Sequence, residues 1–311
     1  MKKLLATTVA IAALGTGAAL AGPTAPVDLF LTPTPFADVT NPGDPGVSSS
    51  QGRLSITVDG TDGSPSTAFA RTTTLGPDII GGERDVTFTN PGSTPEAGLG
   101  ASTLFIGIDP IAMDAVLRIS SDDGTSSTGT LIYDGSSGAA GEVNIDNSAA
   151  GDVDGADNIE LVNTTGLGGL DFSVFDAFLF EIQNADQGLT ATVSIWDTLG
   201  GFASVNLTVP QVGGMGGFPS PLLAPIPFDV FLGLPVAIPP GFTVNSVTAD
   251  AGFDFSSLGA IAFGIDTVND ADLRLGLIVA APEPSTLAIF GAGLLGAGLM
   301  ASRRRRKGKK A

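Results

Sequence analysis

Between Gly22 and Ala281 the chain is interrupted every few residues by glycine, proline, asparagine or aspartate, and the stretches between are short, apolar and rich in β-branched or aromatic side chains. An amphipathic helix needs an apolar stripe at a period of about 3.6 over ~10 residues or more, whereas a strand needs only ~4–8 residues of alternating or continuous apolar character. Strands are therefore expected at Leu54–Val58, Val86–Thr89, Leu104–Ile108, Ala115–Ile119, Thr130–Tyr133, Asn158–Val162, Phe178–Ile182, Thr190–Trp196, Ser204–Val209, Thr243–Val247, Ile261–Ile265 and Leu273–Val279. Asp-Gly, Asn-Pro-Gly, Ser-Gly and Pro-Gly turns separate them. About 260 residues suffice for one large core and are tight for two. The expected fold is all-β, an antiparallel β-sandwich or jelly roll whose two inner faces take the Phe, Ile, Leu and Val side chains.

Two stretches depart from this pattern. Thr32 to Gly46, with Pro33, Pro35, Pro42 and Pro45, reads as a surface arm or edge strand, because proline cannot donate to a central ladder. Pro210 to Gly241 holds eight prolines and the run Gly213-Gly214-Met215-Gly216-Gly217, which reads either as a long excursion or, equally, as an irregular edge of the sheet. Within it, the apolar residues of Pro225-Ile226-Pro227-Phe228-Asp229-Val230-Phe231 are suited to docking back on the sandwich.

The two ends differ from the body. Lys2 and Lys3, an apolar stretch from Leu4 to Leu20, and the small residues Ala19 and Ala21 form a secretory signal peptide, 1–21, read as a signal helix removed before Gly22 by signal peptidase after export through the translocon. At the other end 285–302 is uncharged and, at about 1.5 Å per residue, reaches about 27 Å as a helix, close to the thickness of a bilayer's hydrocarbon core. It is expected to be a single C-terminal transmembrane helix. Arg303, Arg304, Arg305, Arg306 and Lys307, in the basic tail 303–311, stay on the cytoplasmic side, so the body 22–281 is outside.

Pro282-Glu283-Pro284, the apolar helix and the arginine cluster stand in that order at the end of the chain. This arrangement resembles the PEP-CTERM sorting signal, with 282–284 as its motif and 282–311 as the whole signal, about a tenth of the sequence. The resemblance implies recognition of Pro282, Glu283 and Pro284 and removal of the tail by exosortase, a membrane enzyme of Gram-negative bacteria that make exopolysaccharide. It further implies a protein held briefly in the membrane and then delivered to the cell surface or the extracellular matrix of a biofilm.

Charge and composition exclude most chemistries for the body. From Asp28 to Glu283 the chain carries 32 carboxylates against Arg53, Arg71, Arg84, Arg118 and Arg274, a formal charge of −27 with no lysine. Nucleic acid is not an expected partner, since its binding depends on cationic side chains that neutralise phosphates. With no His and no Cys, Ser-His-Asp and Cys-His catalysis, thiolate chemistry, disulfides and imidazole-bound zinc are closed. The missing lysine also closes the phosphate loop and the Schiff base.

What remains is carboxylate chemistry or a cation held by oxygen. Asp152, Asp154 and Asp157, alternating around Gly155, are the candidate calcium ligands; their spacing is not that of an EF-hand, and turn chemistry alone also explains it. The runs Ile79-Ile80-Gly81-Gly82-Glu83-Arg84-Asp85, Trp196-Asp197 with Gly200-Gly201, Pro227-Phe228, and Phe253 to Leu258 leading into Ala260 to Asp266 resemble galactose-binding-like jelly rolls. That resemblance implies a carbohydrate site without fixing its residues; the preferred reading of Gly81-Gly82 is a tight turn, and of Arg84 a salt bridge with a nearby Asp. Trp196 and Tyr133, the one Trp and the one Tyr, are candidate sugar-stacking platforms that their strand positions also mark as core. A glycoside hydrolase needs two carboxylates about 5–9 Å apart with one pKa raised, and turn-like solvated aspartates do not supply that. The expectation is a non-catalytic exported protein with a structural or adhesive role. Its alternatives are a carbohydrate-binding module, calcium-dependent or not, with exopolysaccharide or other glycans as partners, and a carboxylate hydrolase.

Overall fold

The computed structural model of the protein describes residues 25–30, 36–39, 48–50, 53–59, 66–72, 79–82, 84–91, 101–109, 114–122, 124–135, 143–144, 161–213, 217–218, 220–267 and 271–281. These build two eight-stranded antiparallel sheets and a two-stranded ribbon. The first sheet contains β1 (Ala25–Asp28), β3 (Ser48–Ser50), β4 (Arg53–Asp59), β7 (Ala101–Ile108), β8 (Ala115–Ser121), β12 (Ala177–Ala185), β15 (Leu222–Pro227) and β18 (Asp272–Ala281), in the order β15-β12-β18-β8-β7-β4-β3, with β1 also on β18. The second contains β2 (Phe36–Val39), β5 (Ser66–Thr72), β6 (Asp85–Asn90), β9 (Ser127–Tyr133), β13 (Leu189–Asp197), β14 (Phe202–Val209), β16 (Thr243–Ala249) and β17 (Leu258–Thr267), in the order β16-β14-β13-β17-β9-β6-β5-β2. The ribbon pairs β10 (Val143–Asn144) with β11 (Leu161–Val162).

Period-two alternation sets which face each strand buries. On β13, Leu189, Val193 and Ile195 are buried in the main core while Thr190 and Thr192 stay half-exposed. On β18, Leu273, Leu275, Ile278 and Ala280 enter the same core from the opposite sheet. Phe178 and Phe180 of β12 meet Phe263 of β17 edge-on, at ring separations of 5.9 and 5.5 Å, so aromatic contacts bridge the layers. The packing leaves an apolar cavity of about 40 Å³ among Leu189, Val209, Phe242, Phe263, Leu273 and Ile278. No polar group faces this space, so it lacks the convergent donors and acceptors of a ligand site and is a dry packing gap.

Of the two readings for 210–241, the described residues show the sheet edge rather than an unstructured excursion. The stretch contains β15 and a single helical turn, α1 (Phe228–Phe231). Pro225 and Pro227 fit because β15 is the edge of its sheet and pairs only with β12, so one flank has no ladder to supply. Docking back does occur: Ile226, Phe228 and Phe231 are buried. In the other proline-rich stretch, β2 is the edge strand of the second sheet, as expected, paired with β5.

One strand fixes the geometry that matters most. β18 pairs with β12 along its whole length on one flank, from Ala185↔Leu273 to Ala177↔Ala281. Its other flank is shared: Asp272 to Leu275 pair with β8, and Ile278 to Ala280 pair with β1.

Candidate functional site at the end where the chain leaves the fold

Because β1 and β18 are antiparallel, with Ala25 opposite Ala280, the first and last described residues lie side by side at one end of the sandwich. Ala280 and Ala281 are buried, and the Asp176 amide donates to the Ala281 carbonyl at 3.1 Å. The fold therefore holds the chain up to the residue before Pro282.

A phenylalanine plug closes the sandwich at this end. Phe228 stacks on Phe255 with centroids 4.4 Å apart and planes 7° from parallel, while Phe172, Phe178 and Phe231 surround it. Backbone bonds tie the loops to each other: Phe172 N donates to Phe255 O at 2.8 Å, Leu170 and Leu258 exchange both bonds at 2.9 Å, and Phe228 N donates to Asp176 O at 2.7 Å. The hairpin between β13 and β14 is organised by the buried Asp197. Its carboxylate accepts from the amides of Leu199 at 2.9 Å, Gly201 at 2.7 Å and Asp254 at 3.1 Å. Asp254 in turn accepts from the Ser256 hydroxyl and amide, which hold its carboxyl below the ordinary value of 3.8.

Beside this end the two sheets are clasped by a buried polar triad. Asp28 of β1 pairs with Arg84, which precedes β6, and accepts from the Tyr133 hydroxyl of β9 at 2.8 Å; all three side chains are fully buried. Asp28 also accepts from the Phe30 amide at 2.7 Å. Burial, and then the Asp28 charge, push the Tyr133 phenol well above its ordinary value of 10.0, an effect that the Arg84 charge partly offsets. The Arg84 partner expected from sequence is thus an Asp 56 positions earlier, on a strand too short and too close to Pro26 to be read from pattern. Gly81 and Gly82 form the expected tight turn, with φ of 68° and 82°.

The outer face of the second sheet has a different chemistry. Cross-strand register lines up Thr243, Thr208, Thr190, Asp266, Thr128 and Thr89 in one row, and Ser246, Asn206, Thr192, Gly264, Thr130 and Thr87 in the next. Neighbours in a row are about 4.8 Å apart. Side-chain bonds hold the members in place: Asn206 donates to Thr192 and Asn245 donates to Asn206, both at 2.8 Å, and Thr128 donates to Asp266 at 2.8 Å. Asp266 is the one carboxylate in these rows, in a chain whose body is otherwise strongly acidic.

Trp196 and Tyr133 are both wholly buried, so neither is a sugar platform: Trp196 packs with Phe202, Ile132, Ala260, Ala262 and Val162, and Tyr133 serves the triad. The remaining sequence candidates lie outside the described residues. These are Ala19, Ala21 and Gly22 of the signal cleavage, Asp152, Asp154 and Asp157 of the calcium loop, Pro282, Glu283 and Pro284 of the sorting motif, and the cationic residues Arg303 to Lys307. Among the described residues, no three His, Cys, Asp or Glu side chains are grouped to hold a metal ion, and no helix is long and apolar enough to cross a membrane.

Comparison with known families gives one match: residues 280–306 fit the PEP-CTERM protein-sorting motif. Comparison with curated proteins gives no match. The matched region begins at Ala280, inside β18, so the sorting signal is fused to the fold without a spacer. This chain carries a PEP-CTERM sorting signal, which implies an exported protein destined for the cell envelope or surface, with exosortase as its processing partner.

Proposed function

We propose that the protein is a non-catalytic β-sandwich component of the cell surface or extracellular matrix, held in the membrane by 285–302 until exosortase releases it. The observation that carries this reading is the direct junction of the sorting signal with β18, beside β1. Signal peptide and tail then flank the body at a single end, an arrangement suited to export followed by anchoring on the outer side. The acidic, lysine-free body supports a dispersed surface component rather than a binder of anionic polymers. The test is expression in a host with and without a working exosortase, following the chain's mass and location. The wild type is expected to be shortened and to reach the envelope surface or medium, while Glu283→Ala is expected to stay full-length in the membrane. Full-length protein in the cytosol, with both ends intact, would overturn the reading.

A second reading, a carbohydrate-binding module, is favoured by the hydroxyl and amide rows on the outer face of the second sheet. Such groups both donate and accept, which suits a neutral polyol such as an exopolysaccharide strand. Glycan-array binding of the full chain with and without EDTA tests it. Binding lost in Thr192→Val supports the reading, dependence on EDTA brings in the 152–157 loop, and released sugar would instead indicate a hydrolase.

A further inference from the structure

We propose that the end of the sandwich from which β18 leaves is a membrane-docking face, and that its partner is the interfacial layer of a zwitterionic phospholipid bilayer. This rests on the anchoring read above for 285–302 and adds what the folded body does while anchored.

Leu170, Val174, Leu199 and Leu232 are large apolar side chains left exposed on the loops of this end, Leu199 to 86% and Val174 to 58%. Leu170 is bonded to Leu258 at the start of β17. Leu199 is the tip of the β13–β14 hairpin, whose Thr198 amide donates to Ser257 at 2.9 Å. Val174 lies two residues before Asp176, the donor to Ala281, and Leu232 directly follows α1. Scattered exposed leucines need no explanation, but apolar side chains gathered at one end of a molecule mark a contact surface. Here the gathering coincides with the exit of the chain.

Tether length turns that coincidence into a constraint. Five residues, 282–286, separate Ala281 from Leu287, the first large apolar residue of the membrane-spanning stretch 285–302. Fully extended they reach at most about 18 Å, and the headgroup layer on one side of a bilayer is itself roughly 5–8 Å thick. The loops of this end are held against the headgroups, and an insertion too weak to bind a free protein becomes intramolecular. Asp171, Asp176, Asp229, Asp250 and Asp254 are exposed at the same end, so anionic headgroups would repel it and a zwitterionic surface suits it.

The test uses the full chain, which has no cysteine of its own. Leu199→Cys, carrying an environment-sensitive fluorophore, is reconstituted in phosphatidylcholine vesicles with and without brominated acyl chains. Leu223→Cys, exposed to 41% on β15 away from this end, is the reference. The label at 199 should shift to the blue and lose about half its emission to the brominated lipid, as expected for burial at the acyl boundary, while the label at 223 does neither. Adding phosphatidylglycerol should reduce the quenching. Water-like emission at both positions, in protein that floats with the vesicles, overturns the docking face and leaves the anchor standing. Protein that fails to float overturns the anchor and the docking face together. Shielding at 199 that appears only in membranes containing exosortase assigns the face to that enzyme and overturns a lipid partner.

Discussion

Ala25 lies opposite Ala280 across the β1–β18 pair, so four residues at the start of the described body complete the flank of the strand that ends at the sorting signal. Val27 is fully buried there, and Asp28 secures the strand to the second sheet through Arg84 and Tyr133.

Replacing Val27 with Asp places a carboxylate in the core and should detach β1. The expected result is faster amide exchange at Ile278 to Ala280, which pair with β1, but not at Leu273 to Leu275, which pair with β8. Uniform exchange along β18 would show that β1 does not secure the exit.

The triad predicts graded losses. Tyr133→Phe removes one hydrogen bond to a carboxylate and should cost about 2 kcal/mol, whereas Asp28→Asn removes the charge beside a buried guanidinium and should cost about 3–5 kcal/mol. Denaturant unfolding of the two variants measures this, and equal losses would contradict the arrangement.

Alkaline pH should act through the same residue. Tyr133, the chain's single tyrosine, has a phenol whose folded pKa is raised above 10.0. The unfolded phenol ionises first, so this contribution to stability is complete below about pH 10 and is lost as pH rises through the folded value. Tyrosinate absorbance should appear together with loss of β-structure, not before it.

Two glycines of β17 make a matched pair. A Cβ on Gly259 would stand 1.7 Å from the Thr164 carbonyl oxygen, whereas on Gly264 its nearest neighbour is 3.7 Å away. Gly259→Ala should destabilise by about 3 kcal/mol or prevent folding, and Gly264→Ala should be neutral or stabilising by about 0.5 kcal/mol. Thermal unfolding distinguishes them.

Asp197→Ala should cost about 3 kcal/mol by stripping the acceptor from three backbone amides of the loops around Leu199. Asp197→Asn, which keeps an acceptor oxygen, should recover part of this. Comparable melting temperatures for Asp197→Ala and the wild type would show that the hairpin does not depend on the carboxylate.

An all-β class and export to the envelope could be read from residue order before any contact was known. Period-two runs such as Thr190 to Trp196, split by Gly and Asp turns, leave a sandwich as the natural way to bury one face of each strand, and Pro282 to Arg306 is a contiguous signal readable without any fold. Strands with a weak local pattern could not be placed one by one: β15 has two prolines in its six residues and is held by its neighbour β12, and β1 is held by β18 and the triad. Only folding brings Asp28 to Arg84, puts Trp196 and Tyr133 inside, and sets the exposed Leu170, Val174 and Leu199 on loops at the end where the chain leaves. Pattern along a chain fixes which face a residue takes, while register between strands distant in sequence fixes which residues share an end.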